Sequence, residues 1–572
     1  VYGEGFDDSG PDSGRGRKLA RKQALWNERA SWLSHWQEIS EYQQPRAGRF
    51  SASDRNRGDK KRHNILDNTA VFASRTLAAG MMSGMTSPAR PWFRLEIPDK
   101  KLMESEAVKT WLFECQAILR RIFAASNTYR TLHGMYEELG LFGTAASVVL
   151  PDFENVIHHY PMTVGEYALG HNDKGFVDTL CREYQMTVGQ MVKQFGYKNC
   201  STTVKNLWDR RAFDQWVTVI HLVEPRAASQ RDMTKRDGKN MPFSSCYFEP
   251  SKGDNENYLS ESGFKAFPVL APRWILTGND IYGHSPGMDV LGDVKQLQHQ
   301  QLRKGQAIDY QVNPPLQVPT AYKEAQRSRL PGGIFYVDAP GPGTGVRTAY
   351  DVTLNMQHLL MDIQDVRDRI RQGYYADLFL MLANDTRSGT TATEITERHE
   401  EKLLALGPVL ERLHNELLSP LIDMAFDRAS QAGILPPAPR ELEGMDIQVE
   451  FISVLAQAQR AVAAGGVDRL LSTVGSVAGL APGVVDKIDF DQVVDDYADM
   501  FGVNPKLIVS DAKVAEMRST RAAQQAQQAQ AAAMPAVVDT AKVASEINTA
   551  GMQDVLGLFS GYASPTPTEV AQ

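Results

Sequence analysis

DVLGDVKQLQHQQLRKGQAIDYQ at residues 289–311 and TLNMQHLLMDIQDVRDRIRQGYYADLFLML at residues 353–382 are the stretches on which the fold turns. The second sets Met356, Leu359, Ile363, Val366, Ile370 and Tyr374 three or four residues apart, the spacing that lines one face of an α-helix. The first carries Val290, Val294, Leu297 and Ile308 on one face. Asn313-Pro314-Pro315 ends it, because proline has no N–H to give and pushes its predecessor out of the helical region. Residues 316–351 lie between, with Pro331-Gly332-Gly333 and Pro340-Gly341-Pro342-Gly343 marking a compact strand-and-turn insert. Two long helices around a small Pro/Gly-rich module predict a stalk with a tip.

Toward the N-terminus, residues 17–45 read as an amphipathic helix through Leu19, Leu25, Trp26, Trp32, Leu33, Trp36 and Ile39, closed by Pro45. A basic run follows. Arg46, Arg49, Arg55, Arg57, Lys60, Lys61 and Arg62 stand against Asp54 and Asp59, which suits either a solvated loop or contact with phosphates or an acidic partner. Asn64 to Met85 reads as a second helix, whose Ala70, Ala73, Ala78, Ala79, Gly80 and Gly84 let a neighbour pack closely. Trp92 to Ile97 alternates as a short strand, and 103–143 reads as helical. From Ser147 to Pro272 short β-branched and aromatic runs predict a β-rich insert with one helix near Val188 to Phe195. Beyond the stalk come a polar loop at 383–392, helices at 393–406 and 409–432, a Pro-rich linker at 435–439 and a strand at 449–453. Residues 454–533 read as mostly helical, ending in Ala/Gln-rich sequence, and 534–572 as a Pro-punctuated tail. The fold class is mainly α with a β-rich insert, α+β.

With 572 residues, a domain size of roughly 150 predicts about four domains, or one core with large insertions. The composition, 42% hydrophobic and 23% charged, excludes a disordered or collagen-like chain. The net charge of −8 argues against a protein that wraps nucleic acid tightly. Cys115, Cys181, Cys200 and Cys246 form no C-x-x-C pair and point to a reducing compartment rather than to zinc or a disulfide framework. Residues 1–16 are too polar for a secretory signal, and the longest apolar stretch, Leu470 to Val485, is broken by Gly475, Gly479 and Pro482, so no membrane association is expected. Chemistry is hard to find. Gly238-Lys239 lacks the rest of a phosphate loop, His399-Glu400-Glu401 lacks the second His of a zincin helix, His158-His159 is an isolated pair, and no G-x-S-x-G elbow occurs. No catalytic residue, metal ligand or cofactor is expected.

The stretch NILDNTAVFASRTLAAGMMSGMTSPARPWFRLEIP at 64–98 resembles the head-to-tail connector, or portal, proteins of short-tailed (podovirus-type) bacteriophages. Four later segments agree in order: Leu316 to Pro319 with Leu330-Pro331-Gly332-Gly333; Thr391 to Ile395 with Arg398-His399-Glu400-Glu401; Phe451 to Gln459; and Val503 to Ser510. The resemblance runs from about residue 17 to about residue 530. It implies a ring oligomer, usually a dodecamer, at one capsid vertex, serving DNA packaging, retention and ejection. The implied parts are an N-terminal extension (1–16), a wing (17–287), stem helices (288–311 and 353–382), a clip (312–352), a tunnel loop (383–393), wing/crown helices (394–435), a crown (436–534) and a C-terminal tail (535–572). The implied partners are double-stranded DNA held without sequence specificity, terminase, then a tail adaptor, and the major capsid or scaffold protein. The implied location is the virion at the portal vertex, with assembly in the bacterial host cytoplasm.

On that reading Arg387 in the tunnel loop, or Arg367, Arg369 and Arg371 on the second stem helix, face the DNA channel. Arg55, Arg57, Lys60, Lys61 and Arg62 form a basic patch, and Arg327, Arg329, Pro331, Gly332 and Gly333 belong to the clip docking surface. The three helical arginines equally suit pairing with Asp365 and Asp368 on adjacent turns or subunits. The apolar stripe of 353–382 is expected to help close the ring. The rival readings are a virion-associated nuclease or peptidase, which needs a clustered site, and an internal or scaffold-like virion protein without a channel.

Overall fold

The computed structural model describes residues 14–51, 64–103, 105–235, 237–250, 258–312, 315–317, 347–348, 356–383, 406–442, 447–451, 473–476, 488–494, 509 and 513–528. It divides at residue 485 into two compact units, each taken by itself. In the second, Arg518 of a helix at 513–528 pairs through both terminal nitrogens with the Asp491 carboxylate at 2.6 and 2.7 Å.

The first unit opens with α1 (Gly14–Tyr42), α2 (Thr69–Met85), strand β1 (Phe93–Glu96), and helices α3 (Lys100–Met103), α4 (Glu106–Ala125) and α5 (Thr128–Phe142). The β-rich insert follows: β2 (Ala146–Asp152), β3 (Val156–Met162), β4 (Tyr167–His171), β5 (Val177–Thr187), α6 (Val188–Phe195), α7 (Thr202–Asp209), β6 (Trp216–Pro225), β7 (Phe243–Phe248), β8 (Ser260–Phe264) and β9 (Val269–Leu270). It makes one five-stranded sheet in the order β4-β5-β6-β7-β8 and one three-stranded sheet, β3-β2-β9, all antiparallel. Next come α8 (Pro286–Asp289), α9 (Leu291–Val312), β10 (Leu316–Gln317), β11 (Arg347–Thr348), α10 (Met356–Gly373) and α11 (Ala376–Ala383). A helix Gly407–Leu413, a π-turn His414–Leu418 and a helix Ser419–Gln431 lead to β12 (Gln448–Phe451). Strand β12 pairs antiparallel with β1, Phe93 opposite Phe451.

The main core joins α1, α2, α4, α5, α9, α10, α11 and the C-terminal helix pair. The stripe on α10 turns into this core. Ile363, Val366, Ile370 and Tyr374 are 0–2% exposed within the single chain, so the stripe holds the subunit together and does not face a neighbouring one. The small residues of α2 receive α11: a Cβ added at Gly80 would lie 2.1 Å from Cγ of Phe379. On α9 the buried face comprises Leu291, Val294, Leu297, Gln298 and Gln300, whereas Ile308, expected on that face, is 42% exposed.

The elements differ from the sequence reading in several places, α1 among them, which runs Gly14–Tyr42 rather than over 17–45. The helix at 353–382 is broken at Tyr375, whose left-handed backbone (φ 54°) lets Tyr374 bury itself and donate to the Gln43 side chain. Helix α2 starts at Thr69 rather than Asn64, because Asp67 accepts the N–H and hydroxyl of Thr69 as an Asx turn. The stretch 103–143 splits at Ser126-Asn127, and α7 adds a second helix to the β-rich insert.

Helix α1 has two working faces. Trp36 and Ile39 enter the core, while Arg15, Lys18, Lys22 and Arg29 form a basic stripe against the five-stranded sheet. Arg15 donates to the Glu249 carbonyl at 2.7 Å, Lys18 pairs with Glu224, Lys22 with Glu183 at 2.5 Å, and Arg29 reaches the carbonyls of Gly165 and Tyr167.

Candidate functional site

Helices α9 and α10 pack as an antiparallel pair, and their charged residues meet the turn before α2. Gln298 closes that turn: its Oε1 accepts the N–H groups of Leu66 (2.6 Å) and Asp67 (2.8 Å), and its amide donates to the Asp67 carbonyl (2.9 Å). The Asp67 carboxylate takes Thr69 on Oδ1. Its Oδ2 takes Gln301 (3.0 Å) and two nitrogens of Arg367, Nε at 3.0 Å and a terminal nitrogen at 2.7 Å. Burial acts to raise the pKa of this carboxyl, but the bonds from Thr69 and Arg367 outweigh it and hold the group below the usual carboxylate value.

The other two arginines on α10 are also engaged. Arg369 lies 3.2 Å from Asp293 on α9 and 3.5 Å from Asp365 one turn earlier; Arg371 lies 3.0 Å from Asp368. Gln300 donates to Asp362. Helices α9 and α10 together carry six Lys and Arg against five Asp. A phosphate approaching this pair meets guanidinium groups already shared with carboxylates, so the surface is balanced in charge rather than strongly attractive. Farther along, Leu302, Ile308, Tyr310 and Val312 of α9 and Leu360 and Met361 of α10 are 42–79% exposed.

The β-rich insert holds two buried histidines. His221 is fully buried, stacked flat on Tyr247 at 3.9 Å, and its Nδ1 accepts from Arg182 Nε at 3.1 Å. The other nitrogen, Nε2, therefore carries the hydrogen and donates to Ser245 Oγ at 2.9 Å. That is the reverse of a serine nucleophile's base, which must accept the hydroxyl proton. Burial and the Arg182 charge push the imidazole well below its ordinary pKa. His159 is buried against Thr128 at 3.0 Å, and burial lowers its pKa to about 4, while His158 stacks edge-on against Tyr160. The pair is split between core and surface. A polar cleft of about 250 Å³ is lined by Trp26, Arg29, Arg49, Glu166, Glu183 and Tyr184, with Arg49 on Glu166 and Lys22 on Glu183. Among the described residues no group of three metal-ligating side chains occurs, and no helix is long and apolar enough to cross a membrane. All four cysteines are buried and unbridged.

The sequence matches the family described as "Bacteriophage head to tail connecting protein" over residues 15–509. The chain belongs to that family. It is 57% identical over 547 residues to the "Probable portal protein" of Bordetella phage BPP-1, covering 95% of this chain and 98% of that one. It is 43% identical over 550 residues to the "Portal protein" of Salmonella phage epsilon15, covering 96% and 98%. A chain of the solved structure titled "Virion of native gene transfer agent (GTA) particle" aligns at 13% identity and TM-score 0.35, covering 75% of this chain and 91% of that one; a likeness so loose supports no conclusion.

Within this connector-family chain, Arg367, Arg369 and Arg371 come together along one helix. Arg387, the basic patch Arg55, Arg57, Lys60, Lys61 and Arg62, and the clip residues Arg327, Arg329, Pro331, Gly332 and Gly333 lie outside the described residues, as do Leu470 to Ser472 and Val477 to Val485 of the longest apolar stretch. Sequence reasoning missed Asp67 and Gln298, which tie α2 to both long helices. The Asp67-Asn68-Thr69 run carries a helix-start signature that identifies the first. No local signal marks the second.

A further anchor missed is Arg273. It is 2% exposed and bonds Glu416 through its own N–H (3.0 Å), Nε (3.2 Å) and a terminal nitrogen (2.7 Å). Glu416 sits in the π-turn. Pro420 lacks an N–H for the 416 carbonyl and its ring crowds that turn, so the helix widens just before it.

Proposed function

We propose that the chain is a portal subunit: copies close into a ring at one capsid vertex, through which double-stranded DNA is packaged, retained and later ejected. The observation that carries this reading is identity with two phage portal proteins along nearly the whole of each chain. Residues 288–311 and 353–382, with helices α9 and α10, serve as the stem, residues 312–352 between them as the clip, 383–393 as the tunnel loop, 17–287 as the wing, 394–435 as wing/crown helices, and 436–534 as the crown. The strand pair β10-β11 supports the clip assignment, since it brings together the two ends of the 318–346 excursion. Terminase and then a tail adaptor dock on the clip; the wing meets the capsid or scaffold protein. The chain acts as a structural conduit rather than as an enzyme.

The balanced charge of α9 and α10 suits a channel wall. Each phosphate neutralised by a Lys or Arg adds affinity, and DNA that must slide cannot be gripped. Arg387 adds a belt of guanidinium groups around the ring, able to meet phosphates without base readout. The apolar residues left exposed on α9 and α10, Ile308 and Met361 among them, supply subunit contacts in a head-to-tail ring.

Negative-stain imaging of the purified protein with native mass alongside tests the reading. Rings with a central hole are expected; a monodisperse monomer, or particles without a channel, would refute it. Changing Arg387 to Ala should leave rings intact while impairing DNA retention. Replacing 320–345 by a Gly/Ser linker should abolish adaptor binding.

A further inference from the structure

Residues 193–216, spanning the end of α6, all of α7 and the start of β6, carry Lys193, Lys198, Lys205, Arg210 and Arg211 against Asp209 and Asp214, in a chain of net charge −8. The inward sides of the two helices, through Val188, Met191, Phe195 and Val204, pack on Val219 and Leu259. The basic residues are left outside. Lys193, Lys198, Arg210 and Arg211 are exposed and make no ion pair among the described residues. Aromatic rings lie among them: Tyr197, Phe213 and Trp216 are 39–42% exposed. The Lys205 ammonium stands 5.9 Å over the Tyr197 ring, the Tyr197 hydroxyl donates to Asp209 at 3.0 Å, and Trp208 meets Phe213 edge-on at 4.7 Å. Lys205, Tyr197 and Asp209 thus join the two helices, with Trp208 and Phe213 packed together beyond them.

Sequence of opposite charge enters the structure close by. Residues 1–13, VYGEGFDDSGPDS, contain Glu4, Asp7, Asp8 and Asp12, no Lys or Arg, and the rings of Tyr2 and Phe6. They join α1 at Gly14. The first turn of α1 is fastened beside the start of α7, because Arg15 bonds the Glu249 carbonyl at 2.7 Å and the Glu249 carboxylate accepts the N–H of Ser201, the capping residue of α7, at 3.1 Å. Helix α7 has eight residues and is about 12 Å long. Thirteen residues reach up to roughly 45 Å. Lys198, Lys205, Arg210 and Arg211, all on α7 or within a few residues of it, lie within that reach.

We propose that the basic, aromatic face of α6 and α7 is the docking surface for the chain's own acidic residues 1–13. Carboxylates meet Lys198, Lys205, Arg210 and Arg211, with the guanidinium forks giving the stronger pairs, and Tyr2 and Phe6 lie against the exposed rings. Each exposed ion pair is weak by itself. Tethering makes the contact effective, since a short linker holds its ligand at a local concentration of about millimolar.

The test compares the full chain with a variant lacking residues 2–13 and with one carrying Glu4→Gln, Asp7→Asn, Asp8→Asn and Asp12→Asn. Zero-length carbodiimide coupling, mapped by mass spectrometry, should join acids of 1–13 to Lys198 or Lys205 in the full chain and not in the charge variant. Amine labelling of Lys193, Lys198 and Lys205 should rise at least twofold in both variants, with Lys174 and Lys265 unchanged as controls. The difference should fade in about 1 M salt, where the screening length is about 3 Å. Absent cross-links together with unchanged labelling would overturn the proposal. A labelled single-stranded oligonucleotide, or an acidic peptide of unrelated sequence, binding the face equally with and without residues 1–13 would also overturn it and assign the surface to that ligand.

Discussion

Gly80 is where α2 admits α11, and Gly80→Ala measures how much that approach is worth. The added methyl would lie 2.1 Å from Cγ, 2.3 Å from Cδ1 and 2.6 Å from Cβ of Phe379. Carbon atoms rest about 3.5–4.0 Å apart, so the ring must retreat by roughly 1.5 Å. Phe379 is 4% exposed and in the main core, with nowhere to go. Because its own Cβ is among the crowded atoms, a rotamer change is not enough and the α11 backbone must move. Overpacking of this kind costs about 1–3 kcal/mol, and the better helix propensity of Ala returns about 1 kcal/mol. Movement of the backbone places the cost at the upper end, for a net loss of about 1–2 kcal/mol. In a Phe379→Ala background Cγ and Cδ1 are gone and only the 2.6 Å approach to Cβ remains, so Gly80→Ala should cost clearly less than in the parent. The coupling, about 1 kcal/mol, is read by chemical denaturation of the four proteins, with hydrogen exchange over 376–383 reporting the displacement of α11. Equal costs in both backgrounds would show that α2 and α11 do not depend on this contact.

Glu416→Ala should destabilise the first unit by about 3–5 kcal/mol, since it strands the buried Arg273 guanidinium, and a melting temperature within a degree of the parent would contradict this. Burial pushes the Glu138 carboxyl up to about 8 against the bonds from Thr163 and Val164, whereas the unfolded group ionises near 4.5. The native state therefore holds the extra proton, and the Glu138 contribution to stability falls as pH rises from about 4.5 to 8, by up to about 1.4 kcal/mol per unit. Glu138→Gln should flatten that limb in melts taken across the range. His159 stays neutral to about pH 4 in the fold, so its own contribution to stability falls as pH drops from 6.5 toward 4 and opposes that of Glu138 between about 4.5 and 6.5, which leaves the Glu138 limb clearest above pH 6.5. Ile363→Asp should give misfolded protein, because Ile363 is 2% exposed, whereas Ile308→Asp with Met361→Asp should reduce assembly by native mass while shifting stability by less than about 0.5 kcal/mol per site.

Apolar periodicity made the α10 stripe legible, because only one face of that helix is buried. The small residues of α2 announced a close neighbour, although nothing local named Phe379. Strands β1 and β12 were each readable locally, β1 from its alternation; their pairing is a long-range fact that no window of sequence contains. Helix α7 escaped because Thr202-Thr203-Val204 has poor helix propensity, and the Ser201 cap decides it. The basic stripe of α1 escaped for another reason: cations at helical spacing read as a solvent face, and here the sheet supplies the carbonyls and carboxylates that bury them. The ring-facing meaning first given to Ile363 and Ile370 failed on the same ambiguity, since a stripe shows that something covers it and not what. Family membership was legible from residues 64–98 and the four ordered segments. Of the channel arginines, the sequence offered Asp365 and Asp368 as partners but not Asp67 or Asp293, which arrive from other elements.

The β1-β12 ribbon has a consequence for how the chain is made. Its two halves leave the ribosome far apart, residue 96 long before residue 448. At about 5–20 residues per second, β1 waits roughly 20–70 s for its partner. During that interval Phe93 and Leu95 lack Phe451 and Val449 opposite them, and a strand edge is left open. A nascent subunit therefore cannot present a finished surface until nearly all of its first unit has been synthesised. Any assembly that reads that surface is timed by the completion of translation, which keeps fragments out of the particle.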